Sequence, residues 1–314
     1  MKKEYYLILT DRCQWNCWYC DFTYKKQTLG DVDYDYLKYF IDIMNDININ
    51  KDIDFILEGG EIGLINKNIL NLIFNSNLSD KYSITTNGKF MENNYHNIYK
   101  DKINDIQYYV ISDLNANNMT FNKYSIDDII NVYNTIVIHK NNIKYLNNFL
   151  DINSDYNFTP HLLQPRITNL NFLTLDNIKE IYNIVKDKNN INNEFKERLN
   201  TIINYLSLDD SVLNKIRYTC CNLYYKPYID LVNKKINRCC VSTSNNDSVE
   251  LNKDNLIKLY NNDITLFNKT DDLCNNCIAS YVWRHNLKYM FDNNREELFK
   301  IIKTLKENNK YEIL

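Results

Sequence analysis

The sequence contains little glycine and proline, with five Gly and three Pro among 314 residues. We attribute this skew to a compositional bias of the source and not to function. The sequence also lacks a long apolar run, since spanning a bilayer as a helix takes about 20 predominantly apolar residues. Residues 5–9 are apolar but too few for a signal peptide. We therefore expect a cytoplasmic protein without a membrane partner.

A block of basic residues is missing as well. The formal net charge is −3, and the 44% hydrophobic and 25% charged residues are ordinary for a globular chain. Because proteins that bind nucleic acid usually carry a basic patch or stripe, no nucleic-acid partner is expected.

Nine cysteines are present, and they are unevenly distributed. Three lie between Cys13 and Cys20, none in the next two hundred residues or so, and six between Cys220 and Cys277. In a reducing compartment disulfides are rare, so metal or cluster ligation is the better explanation. The grouping indicates two separate sites.

Strand-like and helix-like segments alternate through the first half of the chain. The strand candidates are residues 4–10, 53–57, 82–86, 106–112, 134–139 and 157–163. Strands that alternate with helices predict a parallel sheet with right-handed crossovers. A closed eight-unit barrel takes about 250 residues, and here six units occupy about 165, so we predict an α/β fold with a partial (β/α)6 barrel.

The pattern divides the chain into four regions. Residues 1–170 form the barrel core and residues 171–215 a helical connection, with helices near 175–188 and 193–206. Residues 216–292 form a small domain that opens with a β-hairpin over residues 228–239 and a helix near 254–261, and residues 293–314 form a C-terminal helix.

The first cysteine group, Cys13-x3-Cys17-x2-Cys20, directly follows the first predicted strand. Three thiolates can hold three irons of a [4Fe–4S] cube and leave the fourth iron open. In βα barrels, active sites lie on loops at the carboxyl ends of strands. The alternatives are a zinc knuckle and a chance grouping of cysteines; zinc favours four ligands, and only three cysteines are near.

This motif, with an aromatic residue before the last cysteine, resembles the signature of the radical S-adenosylmethionine (SAM) superfamily. The resemblance implies that the open iron binds SAM and that reductive cleavage of SAM yields a 5′-deoxyadenosyl radical. It also implies that Tyr19 packs beside the adenine of SAM.

The resemblance continues at the ends of the following strands, where the segments Gly-Gly-Glu and Thr-Asn-Gly occur. Ile62 stands where the family usually has proline. A simple turn is the alternative explanation at each position. The resemblance implies SAM-binding roles for Gly59, Gly60 and Glu61 after strand two, Asn87 after strand three, and Ser112 and Asp113 after strand four, with His139 after strand five as a further candidate contact.

The second cysteine group resembles the auxiliary-cluster domain of radical SAM enzymes, the twitch or SPASM domain. Cys221, Cys239, Cys274 and Cys277 are separated by 18, 35 and 3 residues, and Cys220 or Cys240 could replace its neighbour. The resemblance implies one auxiliary [4Fe–4S] cluster. A structural zinc site with four cysteines is the alternative.

We predict an oxidoreductase-type enzyme that abstracts a hydrogen atom and oxidises a peptide, protein side chain or small molecule, by dehydrogenation or crosslinking. Two alternatives stay open: a redox-neutral radical epimerase, and a zinc- or cluster-containing binding module without SAM chemistry. His161 is a candidate base and Arg166 a candidate clamp for a carboxylate, with ordinary structural roles as the alternative for both.

Two partners follow from the resemblance. One is a low-potential electron donor of the flavodoxin or ferredoxin type. The other is a separate peptide-binding chain, because a first strand near residue 4 leaves no room for such a module before the barrel.

Overall fold

The computed structural model describes residues 3–20, 30–48, 52–124, 130–162, 173–206, 227–237, 248–261 and 266. Its main feature is a sheet of eight strands in the order β10-β9-β8-β1-β2-β3-β4-β5, and strands β6 and β7 form a second, two-stranded sheet. Strands β1 to β5 and β8 are parallel to their neighbours in the run β8-β1-β2-β3-β4-β5. The strands are β1 (Lys3–Thr10), β2 (Ile53–Gly59), β3 (Tyr82–Thr86), β4 (Ile103–Tyr109), β5 (Asn131–Thr135), β6 (Val137–Ile138), β7 (His161–Leu162), β8 (Tyr228–Asp230), β9 (Lys235–Asn237) and β10 (Ser248–Glu250).

The six predicted strands of the core are confirmed as an open, partial barrel. The fifth is interrupted at Ile136 and continues as β6, which pairs with β7 in parallel. A bridge between Asn134 and Phe158 connects this pair to β5. The fourth strand was predicted about three residues too late, because the chain leaves the ladder after Tyr109 and only the amide of Val110 still donates, at 3.0 Å, to Thr135 O.

The described helices are α1 (Tyr34–Ile47), α2 (Lys67–Phe74), α3 (Lys89–Glu92), α4 (Tyr95–Ile98), α5 (Ile143–Ile152), α6 (Leu175–Val185), α7 (Asn193–Leu206) and α8 (Lys253–Tyr260). Helix α1 shows why these segments are helical. Asp33 caps its first turn by accepting from Tyr36 N, and Leu37, Phe40 and Met44 recur at helical spacing and are buried. Fully burying each such side chain contributes about 1.5–3 kcal/mol. In the described ranges, no helix is long and apolar enough to cross a membrane.

The predicted C-terminal hairpin is present as β8 and β9, which pair antiparallel. Its turn is longer than the two residues expected, since Asp230 accepts hydrogen bonds from the amide and side chain of Asn233 (both 2.9 Å) and Lys234 adopts a positive φ of 55°. Strand β8 pairs in parallel with β1. The hairpin and the unpredicted strand β10 therefore extend the core sheet, while the proposed domain limits stay a prediction.

Candidate active site

The three cysteines lie on the cysteine loop, residues 11–20, which leaves the carboxyl end of β1. Cys13, Cys17 and Cys20 are half-buried, and none of the three forms a disulfide. The amide of Cys20 donates to the carbonyl of Cys17 at 3.0 Å, which closes a tight turn between these two residues. The loop therefore presents three thiols from ten consecutive residues at one end of the parallel sheet.

Burial raises the pKa of the Cys13 thiol to about 11 and that of Cys17 to about 12, and neighbouring cysteines add to both shifts. An iron or zinc ion would deprotonate these thiols on binding. Among the described residues, no three His, Cys, Asp or Glu side chains are grouped to hold one metal ion. Zinc sites favour four nitrogen or sulfur ligands, whereas in a [4Fe–4S] cube each cysteine binds its own iron, so that three cysteines leave one iron open. The donor set fits the cube.

Gly59 and Gly60 pack against the backbone where β1 ends and the cysteine loop begins. A Cβ on Gly59 would lie 2.3 Å from Thr10 O, and one on Gly60 would lie 2.2 Å from Arg12 O. The amides of Gly60 and Glu61 donate to these same two carbonyls, each at 2.8 Å. The two glycines are therefore required for close backbone packing against the cysteine loop, a function that their predicted role toward SAM did not include.

Glu61 is buried, with 1% of its surface exposed. Its Oε1 accepts from Gly63 N (2.7 Å), Thr86 Oγ1 (2.7 Å) and Phe90 N (3.2 Å). Its Oε2 accepts from Asn87 N at 2.6 Å. Burial raises the pKa of Glu61, and these hydrogen bonds oppose the shift. In this structure the carboxylate joins the loops after β2 and β3, and no Lys or Arg of the described residues pairs with it.

Asn87 contacts the cysteine loop directly. Its Nδ2 donates to Cys13 Sγ at 3.3 Å, and its Oδ1 accepts from Gln14 Nε2 at 2.6 Å. The predicted role of Asn87 was SAM binding; the structure adds a hydrogen bond to a predicted iron ligand. Sequence reasoning missed this contact because 74 residues separate the partners.

Tyr19 connects the cysteine loop to the end of β4. Its hydroxyl donates to Ser112 O at 2.6 Å and lies near the Cys17 thiol. Burial raises the pKa of Tyr19 strongly, so the phenol stays protonated. Ser112 therefore contributes its backbone carbonyl to this contact.

Asp113 connects the same loop to the end of β6. Its Oδ2 accepts from Trp18 Nε1 at 3.2 Å, and its Oδ1 lies 2.8 Å from His139 Nε2. His139 is 2% exposed, and its ring meets the Trp18 indole edge-on with centroids 4.9 Å apart. Trp18 was not among the predicted site residues, since nothing in the motif spacing marks the residue after Cys17.

No protein-family model and no curated protein matches this sequence. Solved structures do match it. The structure of native anSMEcpe with bound AdoMet shares 12% identity over 95% of this chain and 100% of its own, with a TM-score of 0.57. Streptococcus suis SuiB bound to precursor peptide SuiA shares 16% identity over 90% of this chain and 71% of its own, with a TM-score of 0.54. SuiB bound to S-adenosylmethionine shares 17% identity over 90% of this chain and 72% of its own, with a TM-score of 0.53.

These neighbours are radical SAM enzymes. The chain has the radical SAM fold. The similarity confirms the predicted fold class. At identities of 12–17%, it establishes the fold alone.

Within the radical SAM fold, the predicted site residues of strands one to five meet at the carboxyl edge of the sheet. His161 joins the same edge: it is exposed on β7, and its ring lies 6.3 Å from that of Tyr109. Tyr109 in turn contributes, by its charge when ionised, to the raised pKa of Tyr19. Arg166 lies outside the described residues, and so does the second cysteine group: Cys220, Cys221, Cys239, Cys240, Cys274 and Cys277.

Proposed function

We propose that this protein is a radical SAM enzyme whose Cys13, Cys17 and Cys20 hold a [4Fe–4S] cluster with one open iron. The observation that carries the proposal is the placement of three thiols on the loop after β1, at the carboxyl edge of the parallel sheet in a chain that has the radical SAM fold. A binding module without SAM chemistry would leave this convergence of the loop with four further strand ends unexplained.

A reduced cluster held by Cys13, Cys17 and Cys20 would supply one electron for cleavage of the S–C5′ bond of SAM, which would give methionine and a 5′-deoxyadenosyl radical able to take a hydrogen atom from the substrate. The protein groups around the loop have supporting roles. Gly59, Gly60 and Glu61 hold its start, and Asn87 donates to Cys13. The edge where SAM would bind also carries Tyr19 and Ser112.

The decisive experiment measures 5′-deoxyadenosine formed by the anaerobically reconstituted protein with SAM and dithionite. We expect product from the wild type and none above background from C13A, C17A or C20A. The matched control is Cys220→Ala. Cys220 could replace Cys221 as an auxiliary ligand, but it is not one of the three proposed ligands of the SAM cluster. Product from the triple variant C13A/C17A/C20A would refute the proposal.

We further propose that the reaction is oxidative and that the substrate is a peptide. The precursor peptide bound to SuiB, a structure of the same fold, supports the choice of a peptide. After hydrogen abstraction, the substrate radical would lose a second electron and a proton, and an auxiliary cluster at Cys221, Cys239, Cys274 and Cys277 would accept that electron. His161, exposed at the sheet edge, is the candidate group that takes the proton.

Metal analysis and isotope labelling test these finer points. Two cubes require about eight irons per chain, whereas one zinc with four irons would assign the second site a structural role. A mass loss of two hydrogens from the product supports oxidation. Solvent deuterium at a product carbon would instead indicate epimerisation.

The proposal also requires an external electron donor of low potential, such as a flavodoxin or ferredoxin. A separate peptide-binding chain would be a second partner. Replacement of dithionite by reduced flavodoxin should sustain turnover, and a failure with both flavodoxin and ferredoxin would contradict this part of the proposal.

A further inference from the structure

Two neighbouring aromatic residues, Trp18 and Tyr19, fasten the second half of the cysteine loop to the ends of other strands. Tyr19 donates to a backbone carbonyl, that of Ser112, at 2.6 Å. Trp18 donates to a carboxylate, that of Asp113, at 3.2 Å. Because they lie between Cys17 and Cys20, these contacts determine where both thiols are held.

The Asp113 carboxylate is itself held in place by a buried histidine. The amide of Asn141 donates to His139 Nδ1 at 3.3 Å, so Nδ1 is the acceptor and Nε2 carries the proton. Nε2 then donates to Asp113 Oδ1, 2.8 Å away. His139 is further restrained because its amide donates to Asn142 Oδ1 at 2.9 Å.

Both carboxylate oxygens of Asp113 are thus engaged by side chains, one from the cysteine loop and one from the end of β6. The backbone of Asp113 is fixed as well, since its carbonyl accepts from Asn118 Nδ2 at 2.9 Å and Asn115 Nδ2 at 3.3 Å. A fully satisfied polar network of this kind imposes one geometry on its members.

We propose that Asp113 and His139 are positioning residues that orient Trp18 and thereby hold Cys17 and Cys20 in the geometry that receives the cluster. We call Trp18, Asp113 and His139 the Trp18 clamp. The inference deepens the proposed function, since it names what arranges the ligands of the same site. It also gives Asp113 a role apart from SAM. The first half of the loop is held by other groups, with Asn87 donating to Cys13.

The chain offers a matched pair of variants for the test. Trp18→Phe removes the indole donor from a side chain that is 40% exposed, so the fold tolerates the change. Trp15→Phe makes the same substitution in the same loop, where no hydrogen bond of the indole to a described residue exists. His139→Phe keeps an aromatic ring beside Trp18 and removes the donor to Asp113.

The first measurement is residue-resolved alkylation of the metal-free, full-length protein, read by peptide mass spectrometry. Loss of a hydrogen bond to a charged group should speed the alkylation of Cys17 and Cys20 roughly tenfold in W18F and H139F. Cys13 should stay within about twofold of its wild-type rate, and W15F should match the wild type at all three thiols. If Cys17 and Cys20 were alkylated in W18F at the same rates as in W15F and the wild type, the proposal would be overturned.

The second measurement follows iron loss to a chelator from the reconstituted protein, without SAM or substrate. We expect roughly tenfold faster loss in W18F and H139F than in W15F, together with an altered EPR line shape of the reduced cluster. An unchanged rate and line shape in both variants would overturn the proposal. If wild-type protein held the cluster but never cleaved SAM, the proposed function would fail, while the alkylation pattern would still decide the clamp.

Discussion

The substitution Glu61→Gln tests whether the buried carboxylate organises the loops around the cysteines. Oε1 of Glu61 accepts three hydrogen bonds, and Oε2 accepts one, from Asn87 N at 2.6 Å. A glutamine of the same shape would keep its oxygen at the position with three donors. Its amide NH2 group would then face the donor of Asn87, and both would be left unsatisfied.

The magnitude follows from these contacts. A buried donor without a partner costs about 1–3 kcal/mol, and removal of a buried charge offsets part of this cost. We expect E61Q to lower the free energy of unfolding by about 1–2 kcal/mol. Glu61→Ala removes the acceptor of all four hydrogen bonds and should cost about 3–5 kcal/mol.

Urea unfolding of the metal-free chain, followed by circular dichroism, measures these differences as shifts of the midpoint at constant slope. Glu92→Gln is the matched control, because this carboxylate is exposed and pairs with Lys89 at 3.0 Å. An exposed pair contributes about 0–1 kcal/mol. If E61Q were as stable as the wild type, or if E61A were no less stable than E61Q, the carboxylate would not organise these loops.

Three further predictions concern the same region. Burial raises the pKa of Glu61 above 4.5, so the folded state binds the proton more tightly than the unfolded state does. The stability that Glu61 contributes therefore falls as the pH rises from 4.5 through the folded-state pKa. Urea unfolding at several pH values should show that the stability advantage of the wild type over E61Q shrinks as the pH rises, and a growing advantage would contradict this. Gly60→Ala places a Cβ 2.2 Å from Arg12 O and should cost about 1–3 kcal/mol; an unchanged melting temperature would show that the loop adapts freely. Asn87→Ala removes the hydrogen bond to Cys13 Sγ and should make the reduction potential of the cluster more negative in a redox titration followed by EPR, whereas an equal or more positive potential would be inconsistent with that bond.

Much of the fold and part of the site were predictable from the sequence. Alternating strand and helix patterns determine a parallel sheet, because each strand must return to the same edge through a crossover. The spacing of Cys13, Cys17 and Cys20 determines that the three thiols share one loop after β1. Strand ends were less accurate, as β4 shows, because the end of a strand depends on where its neighbour stops donating and accepting hydrogen bonds.

Tertiary structure decided how the loop is held. The contacts of Asn87 with Cys13 and of Trp18 with Asp113 join residues 74 and 95 positions apart. No local pattern marks such pairs, since they form only when parallel strands bring their carboxyl ends to one edge of the sheet. The close approach of Gly60 to Arg12 is equally invisible in the sequence, where a glycine pair reads as a turn. Residue types and spacing thus determined which groups the site contains, and the packing of distant loops decided how those groups are oriented.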